Sequence, residues 1–546
     1  MQLFTVFILS LFLTLALVPV FRRLAFRMNI VDVPDERKVH VLPMPKTGGI
    51  SMAVGAFIPF FLWVPKDDFV SAVFIGSMII VFSGLADDIR PLASWQKLLP
   101  QVAAALLVIF WGGVRIRYIG LYGVEETALP EAVSIVLTLF VIIGVTNAIN
   151  LSDGLDGLAG GISMLSFVMM AFLAFQCETM SVALVSIAMV GAIAGFLRFN
   201  THPAVLFMGD AGSQLLGFLA VVFALVLTQG HTPYSRVLSL TLIGFPILDT
   251  LMVMVERMAK GRSPFKADKN HFHHRLLRLG FSHAEAVLII YLIQACFLSL
   301  AFIFRFYEGW VHVLIFGFFS VTILSLFFYA HQTGWRVTPD PGALSVRKKW
   351  VKAVKDRKIF IRTCFGAARY GLPVLLAAQC AIPEAIPGAM AAAALVPAGL
   401  LGFLPLIPQR FQKAVLRSVI CLMIPLILYL TEMYPGPWFT RNLYHLNIMA
   451  HVGLVISVLL TMRLTRRQKG FKLTTMDILV FIVILVFPNL PTTHVEVFGA
   501  GAALARALVL FFSFDVLLGE FREETGFMTR SCVVVLSVFI LRGFFG

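Results

Sequence analysis

The sequence predicts an all-α fold: a polytopic bundle of transmembrane helices, about eleven spans in a core and about five to seven more beyond it. Three observations carry this. The chain of 546 residues is 59% hydrophobic and only 13% charged, against about 25% charged residues in a soluble domain, and its mean hydropathy is +0.90. The apolar residues fall in runs of roughly 20, the length of a helix crossing a ~30 Å hydrocarbon core; a membrane barrel would show shorter, alternating segments. The Lys and Arg behind the formal net charge of +15 gather in alternate loops, as expected when basic loops stay on the cytoplasmic side, against an anionic leaflet. The charge is therefore ascribed to membrane topology, and nucleic acid is excluded as a partner.

The first run, 3–20, is followed by Arg22, Arg23 and Arg27 rather than preceded by them, and no small-residue cleavage site follows. It reads as a span with the N-terminus outside, not as a cleaved signal. Further runs lie at 48–64, 69–86, 98–113, 131–148, 158–176, 180–197, 213–229, 237–255, 285–304 and 310–331. Counting spans places loops 21–47, 87–97, 149–157, 198–212, 256–284 and the stretch after 331 inside. Loops 21–47 and 256–284 are strongly basic, whereas the outer loops are short or acidic, as at Lys66-Asp67-Asp68 and Glu125-Glu126. Residues 332–370 form a basic linker between a core domain, 1–331, and a C-terminal multi-span region, 371–546. In that region runs recur near 371–383, 387–407, 413–431, 446–462, 473–489, 497–518 and 529–545. Pro383, Glu384, Pro387 and Pro397 mark the first two as a broken or re-entrant pair, and the basic clusters at 410–417 and 463–472 are expected inside. No motif there carries recognisable chemistry, and no internal repeat relates the two halves. Six cysteines are scattered in or near apolar runs without CxxC spacing, so neither a zinc site nor a disulfide framework is indicated.

Four polar strings interrupt the core where a run meets an inner loop. Asp87-Asp88 directly follows the third run; adjacent carboxylates at a helix C-terminus are disfavoured by the dipole and by each other. They read as a general base, or as a partner for Mg²⁺ or a phosphate, with a solvated helix end as the plain alternative. Asn150, Asp153 and Asp156 recur every third residue, which on a helix gives one face, with Asn147 before them; Gly154 and Gly157 allow a ligand close to the backbone. Gly209-Asp210-Ala211-Gly212-Ser213 opens a run, and Asp210 with Asn150 makes a plausible pair of oxygen ligands for Mg²⁺. Phe207, three residues earlier, either stacks on a base or anchors the helix at the interface. His271, His273, His274 and Arg275, with Lys266 and Lys269, suit a diphosphate and its sugar better than zinc, for which no tetrahedral set with a cysteine or carboxylate is completed nearby, and a plain basic loop is the other alternative. Two weaker features complete the reading. Pro45-Lys46-Thr47-Gly48-Gly49 is either an anion-binding helix start or a basic flank, and Asp249, inside the ninth run, either has a function or pairs with a neighbouring helix.

In order and spacing these strings, with 267–276 around the histidines, resemble the polyprenyl-phosphate N-acetylhexosamine-1-phosphate transferases, within glycosyltransferase family 4. The histidine string is more similar to the branch using UDP-N-acetylglucosamine or a related UDP-HexNAc than to the phospho-MurNAc-pentapeptide branch. The resemblance covers about residues 1–331 and says nothing of the C-terminal region. It implies a membrane enzyme in which a polyprenyl (undecaprenyl) phosphate attacks the sugar-bearing phosphorus of a UDP-N-acetylhexosamine and UMP leaves. It further implies Mg²⁺, with Mn²⁺ as a substitute, held by Asn150 and Asp210. Asp87 or Asp88 would deprotonate or position the lipid phosphate. Asp153 and Asp156 would hold the nucleotide and support the metal, and Phe207 would lie against uracil. His271, His273, His274 and Arg275 would contact the diphosphate and amino sugar, with Lys46, Lys97 and Asn147 as further substrate contacts. The implied location is the bacterial inner membrane with the site on its cytoplasmic face. A homodimer is an expectation from the family alone, and envelope-glycan enzymes are candidate partners of the C-terminal region. A transporter or a silent scaffold is the competing class; a transporter would place its ionisable groups near the bilayer midplane within inverted repeats.

Overall fold

The computed structural model describes residues 2–32, 43–120, 128–230, 232–263, 271–337, 358–464, 506–507, 509–514, 516–518 and 525–545. The chain divides into two compact units, one built on Met1–Thr338 and the other on Pro339–Leu473 and Val480–Gly546. Ten of the described helices are long and apolar enough to cross a membrane, and the one sheet among the described residues is a two-residue antiparallel pair, Val31–Asp32 with Met44–Pro45. The protein is an all-α, polytopic integral membrane protein.

In the first unit the helices follow the apolar runs: α1 (Gln2–Arg27), α2 (Gly48–Trp63), α3 (Asp68–Ile89), α4 (Ser94–Phe110), α5 (Glu131–Leu151), α6 (Leu158–Gln176), α7 (Met180–Asn200) and α8 (Gly209–Gln229). They are followed by α9 (Leu238–Leu242), α10 (Gly244–Ala259), α11 (Phe272–Arg278), α12 (His283–Ile303) and α13 (Gly309–Thr333). Local signals set several starts. The Asp67 side chain accepts from Val70 N at 2.7 Å to cap α3, and Ser282 with Glu285 forms a capping box on α12.

The centre of the unit is α8, with 94% of its most apolar stretch buried, against 17% for α13 and 22% for α1. It packs on α2, α3, α5 and α6. Backbones approach closely where glycine permits: a Cβ on Gly84 of α3 would lie 2.4 Å from Ala211 Cα in α8. Close approach by small residues is the usual basis of helix association in lipid, where apolar burial alone gives no preference for protein over lipid tails.

The ninth expected span, 237–255, is not one helix. It is broken at Ile243 into α9 and α10, with Pro246 unable to donate to the preceding turn. The backbone groups freed by the break are bonded by side chains. Gln294 of α12, fully buried, accepts from Phe245 N at 3.0 Å and donates to Leu242 O at 3.0 Å. Ser166 of α6 donates to the same carbonyl at 3.0 Å. A broken helix at membrane depth persists only with such partners. Gln294→Leu should therefore lower stability by about 1–3 kcal/mol, the cost of orphaning the buried Phe245 N–H, since Ser166 still serves the Leu242 carbonyl. Denaturation midpoints of the two proteins in one detergent check this, and equal midpoints would show that the plug is dispensable.

The second unit contains helices Lys358–Ala381, Gly388–Gly402, Gln409–Met433, Arg441–Leu464 and Thr525–Phe545. The expected broken pair is present as Lys358–Ala381 and Gly388–Gly402, separated by a turn that holds Pro383 and Pro387. Its first helix starts inside the stretch expected to be linker, at Lys358. Linker residues 338–357, the run at 473–489, part of the run at 497–518 and most of the 463–472 cluster lie outside the described residues. The core gathers Leu372, Leu376, Ile420, Ile427 and Phe539. Within it Glu432 forms an ion pair with Arg506, both side chains 8% exposed, and Arg506 lies 4.9 Å from the Tyr444 ring centre.

Candidate active site

Three helix ends meet around one ammonium group. Asp87, in the last turn of α3, accepts from Leu92 N at 2.7 Å through Oδ1. Its Oδ2 lies 2.6 Å from Lys97 Nζ in the first turn of α4. Lys97 Nζ also donates to Asp210 Oδ2 at 3.1 Å, in the first turn of α8.

Asp88 is turned the other way. Its Oδ1 accepts from Asp210 N at 3.1 Å and its Oδ2 from Ala211 N at 3.2 Å. No side chain at the α8 N-cap position makes a capping bond, so a carboxylate from α3 satisfies the unpaired N–H groups and the positive end of the dipole. Gly209 is required here. Its φ is +74°, and a Cβ on it would lie 2.4 Å from Asp88 Oδ2. The neighbouring carboxylates are thus tolerated because each has a separate positive partner.

The spacing of Asn150, Asp153 and Asp156 does not place them on one helical face. α5 ends at Leu151, and a turn of six residues leads to α6. Asn150 Oδ1 accepts from Ser213 Oγ at 2.5 Å, one turn along α8 from Asp210. A layer of amides lies behind: Asn147 Nδ2 donates to Gln101 Oε1 at 2.8 Å and Gln101 Nε2 to Gln214 Oε1 at 3.0 Å. Asp153 faces the cluster; burial, then the carboxylates of Asp210 and Asp156, push its pKa up to about 7. Asp156 is bonded outward, its Oδ2 2.7 Å from His202 Nδ1 and accepting from Ala204 N at 3.1 Å.

The histidine string closes over this turn. His273 packs against Gly154, where an added Cβ would lie 2.3 Å from its Nε2. Its ring stacks near-parallel to His271 at 6.0 Å and lies 4.2 Å from His274. A carboxylate does stand beside the string, supplied from a distant helix. Asp249 of α10 lies 2.9 Å from His271 Nδ1 and accepts from Phe272 N at 2.7 Å, capping α11. Arg275 is ion-paired with Glu256 and lies 5.6 Å from the Phe327 ring centre. Lys266 and Lys269 lie outside the described residues.

Burial, then His274, hold the His273 pKa down at about 4, so at neutral pH it offers a neutral ring. An unfolded chain takes up this proton near pH 6.5, the folded one only near 4, so the group's contribution to stability is lost as pH falls between those values. Asp153, whose folded pKa is raised, has the opposite slope between about 4 and 7. Comparison with His273→Gln isolates the first effect. Denaturation from pH 7 to 5 should weaken the native protein more steeply than the variant, and parallel curves would contradict this.

Lys46 lies 3.5 Å from Asp32. The N–H groups of Gly48 and Gly49 donate to Phe207 O at 3.0 Å and Met208 O at 2.8 Å, and Phe207 N donates to Pro45 O at 2.8 Å. That string therefore uses these N–H groups to hold the segment before α8 and does not present them to an anion. Phe207 is half-buried beside it.

The structure thus brings together Asp87, Asp88, Lys97, Asn147, Asn150, Asp153 and Asp210, with His273 against the turn. Asp156, Lys46 and Arg275 are engaged with His202, Asp32 and Glu256. Sequence reading passed over Gln101 and Gln214 and gave Ser213 no role of its own within its string. Amides inside apolar spans are the signal that points to the two glutamines.

Four carboxylates and one ammonium leave the cluster with an excess of negative charge, and the available donors are hard oxygens of Asp87, Asp153, Asp210 and Asn150. This set fits Mg²⁺, which takes few protein carboxylates and completes its shell with phosphate and water.

Residues 70–228 match the profile described as glycosyl transferase family 4. The chain is 33% identical over 311 residues to a probable undecaprenyl-phosphate N-acetylglucosaminyl 1-phosphate transferase of Bacillus subtilis, covering 57% of this chain and 87% of that protein. It is 32% identical over 365 residues to the undecaprenyl-phosphate α-N-acetylglucosaminyl 1-phosphate transferase of Escherichia coli K12, covering 64% and 94%. A decaprenyl-phosphate N-acetylglucosaminephosphotransferase of Mycobacterium tuberculosis H37Rv is 35% identical over 310 residues, covering 50% and 74%.

Proposed function

The chain belongs to glycosyl transferase family 4, and from that premise we propose that it transfers N-acetylglucosamine 1-phosphate from UDP-N-acetylglucosamine to an undecaprenyl-type phosphate. The observation that carries the reading is the junction of Asp87, Lys97 and Asp210 beside Asn150 and Asp153, in a chain 32–35% identical to relatives named for that transfer. In the reaction a lipid-phosphate oxygen bonds to the sugar-bearing phosphorus, the bond from that phosphorus to the bridging oxygen breaks, and UMP carries the oxygen away.

Mg²⁺, held by Asp210 and Asn150, would neutralise diphosphate charge as it moves onto the leaving UMP. Asp87, partly screened by Lys97, would orient the lipid phosphate or take its last proton. Lys97 offers an ammonium to phosphate oxygens as they approach. Asp153 would hold the nucleotide, and Phe207 would lie against uracil. His271, His273 and His274 would contact the diphosphate and acetamido sugar through their ring nitrogens, with Arg275, paired with Glu256, lending charge. Asp156 holds the turn that carries Asp153. The site would face the cytoplasm in a bacterial inner membrane with the N-terminus outside, the orientation in which the basic loops 21–47 and 256–284 lie inside.

UMP release by the purified full-length protein tests this, with undecaprenyl phosphate and a panel of UDP-N-acetylhexosamines, with and without Mg²⁺. Release requiring lipid phosphate, Mg²⁺ and UDP-N-acetylglucosamine is expected. No release from any donor by folded protein would overturn the reading, and release from another donor alone would correct the sugar.

A further inference from the structure

Asp156, His202 and His283 come from three segments far apart in sequence: the turn between α5 and α6, the loop after α7, and the start of α12. One carboxylate oxygen and one ring nitrogen from each histidine lie within 4.8 Å of one another. The two rings stack at 4.2 Å, tilted by 20°. His283 Nε2 is buried without a hydrogen-bond partner. A buried imidazole nitrogen left bare beside a carboxylate and a second imidazole is disposed as a metal ligand is. The His202 side chain is 45% exposed and Asp156 17%, so the cluster opens to solvent on one side.

We propose that Asp156, His202 and His283 bind a divalent transition ion of the zinc class, with water in the remaining position. Two imidazoles and one carboxylate suit zinc; magnesium, which prefers oxygen ligands, is a poor occupant. This site is separate from the oxygen-rich cluster around Lys97 and does not depend on the transferase reading. An ion here joins the Asp153 turn to the loop before α8 and to α12, replacing the Asp156–His202 hydrogen bond by a three-way link.

The test uses full-length protein, freed of affinity tag and stripped with EDTA, titrated with Zn²⁺ against a chromophoric chelator in excess Mg²⁺. One equivalent is expected to bind and to raise the thermal midpoint. His202→Gln and His283→Gln should each weaken binding by at least about tenfold and abolish the zinc-dependent rise, whereas His445→Asn, in the second unit, should change neither. His202→Gln alters a half-exposed side chain, so its metal-free midpoint reports folding separately. Binding unchanged in both glutamine variants, or displaced by Mg²⁺, would overturn the proposal. So would the absence of a zinc-dependent midpoint shift in the native protein.

Discussion

Asp210→Asn is expected to lower kcat for UMP release by about 10²–10³-fold or more, the scale seen when one preorganised electrostatic group is removed, in a protein that stays folded. The substitution keeps the side-chain shape but removes a charge from the carboxylate that Lys97 Nζ touches at 3.1 Å. Folding should survive because the contact holding the start of α8 runs from Asp88 to the backbone N–H of Asp210, which the substitution leaves in place. The check is turnover at saturating substrates beside a denaturation midpoint. Near-normal turnover would remove Asp210 from the chemistry, and a collapsed midpoint would reassign it to structure.

The adjacent pair Asp87 and Asp88 should separate into two phenotypes. Asp87→Asn leaves the α8 cap intact and weakens the contact with Lys97, so turnover should fall by about 10²–10⁴-fold, the range for a positioned acid–base or charged group, with little change in stability. Asp88→Asn leaves one acceptor where two backbone donors converge. It should lower stability by about 1–3 kcal/mol, with activity falling as the α8 terminus loosens. Measuring kcat and midpoint for both variants in the same detergent decides the matter. The reverse pattern, a stable but inactive Asp88→Asn and an unstable Asp87→Asn, would exchange their roles.

Much of this was legible in the sequence, for identifiable reasons. Runs of about 20 apolar residues have few alternatives to helix in lipid, so the eleven expected core segments all carry helices, and the ninth departs only by its break. That break depends on Gln294, about 50 residues away, whose amide pairs with Leu242 and Phe245; no local pattern encodes such a partner. Single carboxylates such as Asp210 were visible because polar residues are costly beside apolar runs. Their partners were not. Asp88 bonds backbone 122 residues further on, and Asp249 serves His271 across 22 residues. The three-residue repeat from Asn150 to Asp156 misled because the helix stops at Leu151, where Gly154 and Gly157 favour a turn.

The near-complete enclosure of α8 has a further consequence. A one-residue insertion in an α-helix rotates everything beyond it by about 100°. In α13, mostly exposed along its length, such a slip beyond His312 and Phe327 exchanges one outward-facing residue for another. Within α8 it would swing its buried face out of register with α2, α3, α5 and α6 all at once. Length changes, fused labels and spectroscopic probes are therefore best placed on α13, while α8 serves as a fixed angular reference for the whole bundle.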